Sequence, residues 1–177
     1  MQPEIRPAKE KDLQELAQVH IESWKAAYGH FLPAYVFDWI TTENRVERFK
    51  ESLEKENEEL AVITFDGKIV GSIAFGKCRD EEGEDNRAEI WGMYLLPGYW
   101  WQGLGTKLVN WALERLKENG YRRVTLWVFE DSTGSRQFYE KLGFKPEGTT
   151  RSTRIDDNIR VLRYIKELTP PQRQLFS

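Results

Sequence analysis

Residues 89–105 read E-I-W-G-M-Y-L-L-P-G-Y-W-W-Q-G-L-G. An apolar strand pattern from Glu89 to Leu95 runs into a Pro97-Gly98 turn, then a loop with glycines at 103 and 105, then a helix pattern starting at about Leu104. This is the layout of a backbone anion site. Glycine lets the main chain approach a phosphate, and a helix N-terminus presents unpaired N–H groups with a favourable dipole. Period-two alternation puts Glu89, Trp91, Met93 and Leu95 on one strand face, with Ile90 and Tyr94 on the other and Gly92 between them.

Spacing separates the phosphate ligands such a loop can hold. A nucleoside-triphosphate loop needs G-x-x-x-x-G-K-[ST]; Gly98 and Gly103 have the first spacing, but Leu104-Gly105 stands where Lys-Ser/Thr must be. A dinucleotide fingerprint fits Gly103 and Gly105 but meets Leu108 at its third glycine, and it comes late in the chain. A tight strand-to-helix turn with no ligand is the remaining alternative.

Downstream, Leu104, Leu108, Val109, Ala112, Leu113 and Leu116 form one helical stripe, and Asn119-Gly120 supplies a stop. Arg123 to Phe129 reads as a buried strand, so strand, helix and strand form a crossover unit with two parallel strands. Ser132 is placed to cap a further helix, in which Phe138 and Leu142 pair at i,i+4 before Gly143 ends it. Strand patterns from Phe144 to Arg154 and from Ile159 to Ile165 close the domain around an Asp156-Asp157-Asn158 turn.

Upstream, Ile5-Arg6-Pro7 reads as a short strand, and Asp12 to about Ala27 as an amphipathic helix. An aromatic link, Tyr28 to Pro33, leads to a second helical stretch, Ala34 to Leu53, split near Thr41-Thr42. Trp24, Tyr28 and Phe31 are either ordinary core residues or one wall of a pocket. Leu60 to Phe65 and Ile69 to Phe75 flank Asp66-Gly67, a hairpin signal. Asp80 to Asn86 is acidic and turn-like, reads as a solvated tip, and lacks calcium-loop spacing.

Across its 177 residues the chain is 40% apolar with a net charge of −3, which fits one well-cored domain without an electrostatic footprint for nucleic acid. The domain is expected over residues 1–168 and a polar tail over 169–177. One cysteine, Cys78, excludes an internal disulfide, and two histidines offer no zinc-ligand cluster, so no metal and a cytoplasmic setting are expected. No run approaches the roughly 18 apolar residues of a membrane span.

The run Y-L-L-P-G-Y-W-W-Q-G-L-G-T-K-L-V, followed by F-Y-E-K-L-G-F at residues 138–144, resembles the GNAT superfamily of N-acetyltransferases, which use acetyl-coenzyme A. The opening I-R-P-A-x-x-x-D and the segment I-E-S-W-K-A-A-Y-G-H-F-L-P are also similar to bacterial members. The resemblance covers about Pro3 to Lys166 and implies an α/β fold: a mixed, mostly antiparallel sheet of six or seven strands with a central parallel pair and helices on both faces. Carried over, the family's loop pattern falls on Trp100, Gly103 and Gly105, with Trp100 departing from the usual Arg or Gln. The implied coenzyme A contacts are Met93, Tyr94 and Leu95 for the pantetheine arm, and the loop residues Trp101, Gln102, Leu104, Thr106 and Lys107 for the pyrophosphate. Ser132, standing where the family has Asn, and Ser135 join them.

Acyl transfer to an amine requires a neutral amine, a polarised thioester carbonyl and a protonated leaving thiolate. The resemblance makes Tyr139 the candidate acid, backbone N–H groups near Tyr94 and Leu95 the carbonyl contacts, and Glu89 a candidate base. For Glu89 a surface or salt-bridged role is the alternative. Trp91, with Trp24, Tyr28 and Phe31, is a candidate for the acceptor channel. The expected reaction is direct transfer from acetyl-CoA to a primary amine of a small molecule or peptide in a ternary complex; a non-catalytic acyl-CoA sensor is the rival. Ile21 to Ile40 offers only Glu22 and Asp38 as acidic anchors, too few to name the acceptor. An exposed strand edge leaves room for a homodimer.

Overall fold

The apolar stripe that follows the glycine loop forms helix α4, Leu104–Glu118, and every residue of that stripe is buried. It covers one face of a seven-stranded sheet in the order β1-β2-β3-β4-β5-β7-β6. The strands are β1 (Glu4–Pro7), β2 (Glu58–Phe65), β3 (Lys68–Lys77), β4 (Arg87–Leu95), β5 (Arg123–Phe129), β6 (Lys145–Ser152) and β7 (Arg160–Glu167). This computed structural model describes residues 2–80 and 86–168, so the expected tail at 169–177 and most of the acidic tip lie outside the described residues. β4 and β5 are parallel and every other pairing is antiparallel, as the patterning and the resemblance implied.

Two cores follow from the two-faced sheet. On one side Leu108, Ala112 and Leu116 of α4 pack with Ile73, Phe75, Ile90 and Leu126, joined by Tyr139 from α5 (Thr133–Lys141) and by Phe144. On the other, Leu16 and Val19 of α1 (Leu13–Tyr28) and Phe49 of α3 (Thr42–Glu54) pack on Val62 and Ile69. Each fully buried Leu or Phe contributes about 1.5–3 kcal/mol by leaving water. The second helical stretch is split as its sequence implies. A short α2, Tyr35–Asp38, precedes α3, whose N-cap Thr41 accepts a hydrogen bond from the Asn44 N–H at 3.2 Å.

β4 departs from simple alternation. It pairs Ile90 with Phe75 but Gly92 with Ala74, so Trp91 is an extra residue, a β-bulge. A bulge exchanges the two faces beyond it. Ala88 and Ile90 before it, and Met93 and Leu95 after it, all join the α4 core, whereas Trp91, Gly92 and Tyr94 face the α1 side. The expected grouping of Glu89, Trp91, Met93 and Leu95 on one face is therefore incorrect, as is that of Ile90 with Tyr94.

Two smaller expectations also fail. Asp80, expected at a solvated tip, has a side chain only 13% exposed and holds Arg151 and Arg163 at 3.3 and 3.4 Å. Ser132 occupies the N-cap position of α5 but makes no side-chain bond to the helix backbone. Its hydroxyl donates instead to Ser135 Oγ at 2.8 Å.

Candidate active site

The parallel pairing of β4 with β5 lasts three residues, Arg87–Arg123, Ala88–Val124 and Glu89–Thr125, and then stops. Beyond it the two strands diverge, and Ile90 to Leu95 have no strand partner on the β5 side. An unpaired sheet edge can accept an extended ligand as an added strand. The edge ends at the glycine loop, where a short 3₁₀ turn, Pro97–Tyr99, redirects the chain toward α4.

The start of α4 is open to a ligand. Its N-cap, Gly103, has a φ of 80°, a left-handed conformation that glycine adopts without a Cβ penalty, and no side chain caps the first turn. The first N–H groups of the helix have no intrahelical acceptor, so they remain to bind an anion. Gln102 is turned back on the loop, its amide donating to the Gly98 carbonyl at 3.0 Å, while Lys107 is exposed.

Trp100, at the position where the family pattern has Arg or Gln, points inward. Its indole N–H donates to the Leu95 carbonyl at 2.8 Å and its ring packs on the α4 core, so the side chain braces the loop rather than reaching for phosphate. Trp101 next to it is 92% exposed and has a φ of 63°. A bulky side chain in the left-handed region is strained and uncommon.

Three tyrosines converge where the strands part. Tyr94 comes from β4, Tyr28 from the end of α1, and Tyr139 from α5. Burial raises the pKa of each, and the hydroxyls of Tyr94 and Tyr139 raise that of Tyr28 further. Tyr139, 8% exposed, therefore stays protonated well beyond neutral pH. Tyr28 and Phe31 pack edge-on against Phe129 at the end of β5, at 4.9 and 5.6 Å, and so close one end of the gap.

Glu89 is buried, 2% exposed, which removes the surface reading of this residue. Its carboxylate accepts from the Arg79 backbone N–H at 3.0 Å and from the guanidinium at 2.9 Å, and Arg79 in turn lies over the Trp91 ring at 4.6 Å. Both carboxylate oxygens are engaged. Cys78 and Asp80 place ligand atoms within 4.8 Å of Glu89, a grouping the sequence spacing did not reveal. Guanidinium groups already hold both carboxylates, so the set does not favour a metal cation.

On the α1 side of β4 lies a cavity of about 580 Å³. Trp24 and Trp91 line it, as their placement in an acceptor channel requires, but Tyr28 and Phe31 do not. Sequence reasoning missed His20, Arg45, Arg48, Arg79 and Arg154. Arg45, Phe49 and Ser52 stand on one face of α3 at helical spacing, a signal that was present; Arg79 and Arg154 carried none. Tyr35 of α2 donates to Asp156 at 3.0 Å and ties the helical wall to the β6–β7 turn.

An open strand edge thus leads to an uncapped helix N-terminus, and comparison with known proteins decides the family. Residues 24–144 match the model of the acetyltransferase (GNAT) family. The chain belongs to this family. An uncharacterized N-acetyltransferase of Bacillus subtilis is 30% identical over 81% of this chain and 79% of its own length. A spermidine N(1)-acetyltransferase of Thermoplasma acidophilum is 30% identical over 86% of this chain and 94% of its own. The solved structure of the PaiA N-acetyltransferase from Thermoplasma acidophilum, in complex with coenzyme A, superposes with a TM-score of 0.75 at 26% identity, covering 92% of this chain and 98% of that one. This GNAT chain is thus an acetyltransferase enzyme, and its mixed sheet is the family's sheet. Among its described residues no helix is long and apolar enough to cross a membrane.

Proposed function

We propose that the enzyme transfers the acetyl group of acetyl-CoA directly to a primary amine held in the 580 Å³ cavity, in a ternary complex. The observation that carries this reading is the end of β4–β5 pairing at Glu89 and Thr125, because it opens one edge between the anion loop and the cavity. Acetyl-CoA supplies the thioester and the thiolate leaving group. The residues present fit it: N–H groups from Trp101 to Thr106 would take the pyrophosphate, and the edge from Met93 to Leu95 would take the pantetheine arm. Ser132 and Ser135, paired to each other, stand at the neighbouring helix start.

Main-chain N–H groups near Tyr94 and Leu95 would polarise the thioester oxygen at the open edge. Tyr139, protonated and buried beside that edge, would donate its proton to the departing sulfur. The incoming amine loses a proton as the C–N bond forms. Glu89 would accept it only by giving up a contact with Arg79, and otherwise the proton leaves to water in the open cavity. Thermal denaturation with and without acetyl-CoA, followed by thiol release across a panel of amines, tests the reading. A ligand selective for the native state must raise its melting temperature. Absence of both stabilisation and thiol release would sink it.

A further inference from the structure

The cavity is lined by four arginines, Arg45, Arg48, Arg79 and Arg154, and among the described residues by no aspartate or glutamate. Two of the four are balanced from behind: Arg48 by Glu58 at 3.4 Å and Arg79 by Glu89 at 2.9 Å. Arg45 and Arg154 have no ion pair among the described residues. The rest of the lining is largely aromatic, with Trp24, Trp39, Trp91 and Phe49.

Three side chains of this lining also carry buried polar atoms with no partner: Nε of Arg45, Nε1 of Trp91 and Nδ1 of His20. His20 is itself only 7% exposed. Arg45 and Trp91 are only half-buried as residues and these three atoms are themselves sealed off, so it is the unbalanced charge of Arg45 and Arg154 in one cavity that points to a ligand. A guanidinium has donors and a positive charge and no acceptor, so it is completed by an acceptor of opposite charge. The missing group is therefore anionic. Burial lowers the pKa of Arg45, with Tyr94 opposing the shift and Arg48 adding to it.

From this we infer that the acceptor is a primary amine that also bears an anionic group, a carboxylate or a phosphonate, bound by Arg45 inside the cavity. The inference rests on the transferase reading above and names its substrate class. Tyr94 separates the two ends of such a molecule. Its ring lies against His20 at 4.6 Å, and its hydroxyl belongs to the tyrosine group where β4 and β5 part. With the anion beside Arg45, the amine of a short acceptor extends past Tyr94 toward the acetyl group. The aromatic walls suit an apolar body between the two. A polyamine, the substrate class in the name of the Thermoplasma relative, would meet four guanidinium groups here and no carboxylate among the described lining.

The test uses the full chain and matched amines. L-Phenylalanine is set against L-phenylalaninamide, and 3-aminopropylphosphonate against 1,4-diaminobutane, with kcat/KM read by thiol release from acetyl-CoA. The expected result is a preference of about tenfold or more for at least one anionic member over its partner, the size of a charge-assisted contact. Arg45→Gln should abolish most of that preference while leaving acetyl-CoA stabilisation intact, and Arg45→Met provides a second variant of similar bulk. The carboxylate and phosphonate arms tell which anion is taken. In both pairs, equal rates or faster transfer to the partner without the anion, or a preference unchanged in both variants, would overturn the inference while the transferase reading stands. Loss of acetyl-CoA stabilisation in the wild type is the separate failure of that reading. In that case, thermal stabilisation by 3-aminopropylphosphonate alone, lost in Arg45→Gln, still supports the anion subsite, and its absence overturns it.

Discussion

The indole N–H of Trp100 donates to the carbonyl of Leu95 at 2.8 Å, tying the glycine loop to the end of the strand that precedes it. Trp100→Phe keeps most of the packing and removes this bond. The expected cost is about 1 kcal/mol of stability, as for a partly buried hydrogen bond, with a higher KM for acetyl-CoA and a nearly unchanged kcat. Denaturant unfolding and steady-state kinetics check both parts. A fall in kcat at constant KM would show that the bond serves chemistry rather than the cofactor loop.

Trp101 is held in a left-handed conformation with its ring in solvent. Glycine at this position relieves the strain, so Trp101→Gly is expected to leave the melting temperature unchanged or higher. If the exposed ring stacks on the adenine of the coenzyme, as base–aromatic stacking worth about 1–3 kcal/mol allows, coenzyme A affinity falls in the same variant. Calorimetric titration with coenzyme A decides it: unchanged affinity rejects the stacking role.

Tyr139→Phe removes the hydroxyl with little change of volume in the α4 core. A drop in kcat of about 10²-fold, with acetyl-CoA binding unchanged, is expected for loss of a general acid. Retention of full turnover, with chemistry shown to be rate-limiting by single-turnover kinetics, would remove Tyr139 from the mechanism.

Glu89→Gln separates a base from an anchor. As a base, Glu89 is needed most at low pH, where the free amine is mostly protonated, so the variant loses rate chiefly there. As the anchor of Arg79 over Trp91, its loss instead raises the acceptor KM and leaves the pH profile in place. The ion pair with Arg79 favours the second outcome.

His20 provides a stability test independent of activity. Burial, then the adjacent Arg45, pushes its pKa down to about 3, and Tyr94 and Phe49 pack against its ring. Between that value and the unfolded pKa of about 6.5 the unfolded chain binds the extra proton, so folding stability rises with pH. The contribution is complete above about pH 6.5 and falls by at most about 1.4 kcal/mol per pH unit below it. Urea unfolding between about pH 5 and 6.5, above most carboxylate titration, should show a shallower slope in His20→Phe than in the wild type. Equal slopes would refute it.

Much of the architecture was legible because its signals are local. The stripe from Leu104 to Leu116, the Asp66-Gly67 turn and the glycines before α4 each act within a few residues. The bulge at Trp91 left no such trace, since one extra residue changes neither composition nor local propensity and shows only in the partner strand. The burial of Glu89 was not legible for a related reason. Its neighbours in sequence are polar, but the sheet buries it and Arg79 comes from across a loop. The arginines of the cavity arrive from α3, the end of β3 and the β6–β7 turn, so only the fold shows that they share one wall.

The bulge also sets what kind of change β4 tolerates. Removing the single residue Trp91 would iron out the bulge and leave Gly92 and Tyr94 on the cavity side and Met93 and Leu95 in the α4 core, because each keeps its partner on β3. The strand can therefore lose this one residue without turning its sides over, at the cost of the Trp91 ring in the cavity wall. An alignment of related enzymes is therefore most informative here in where it permits a gap.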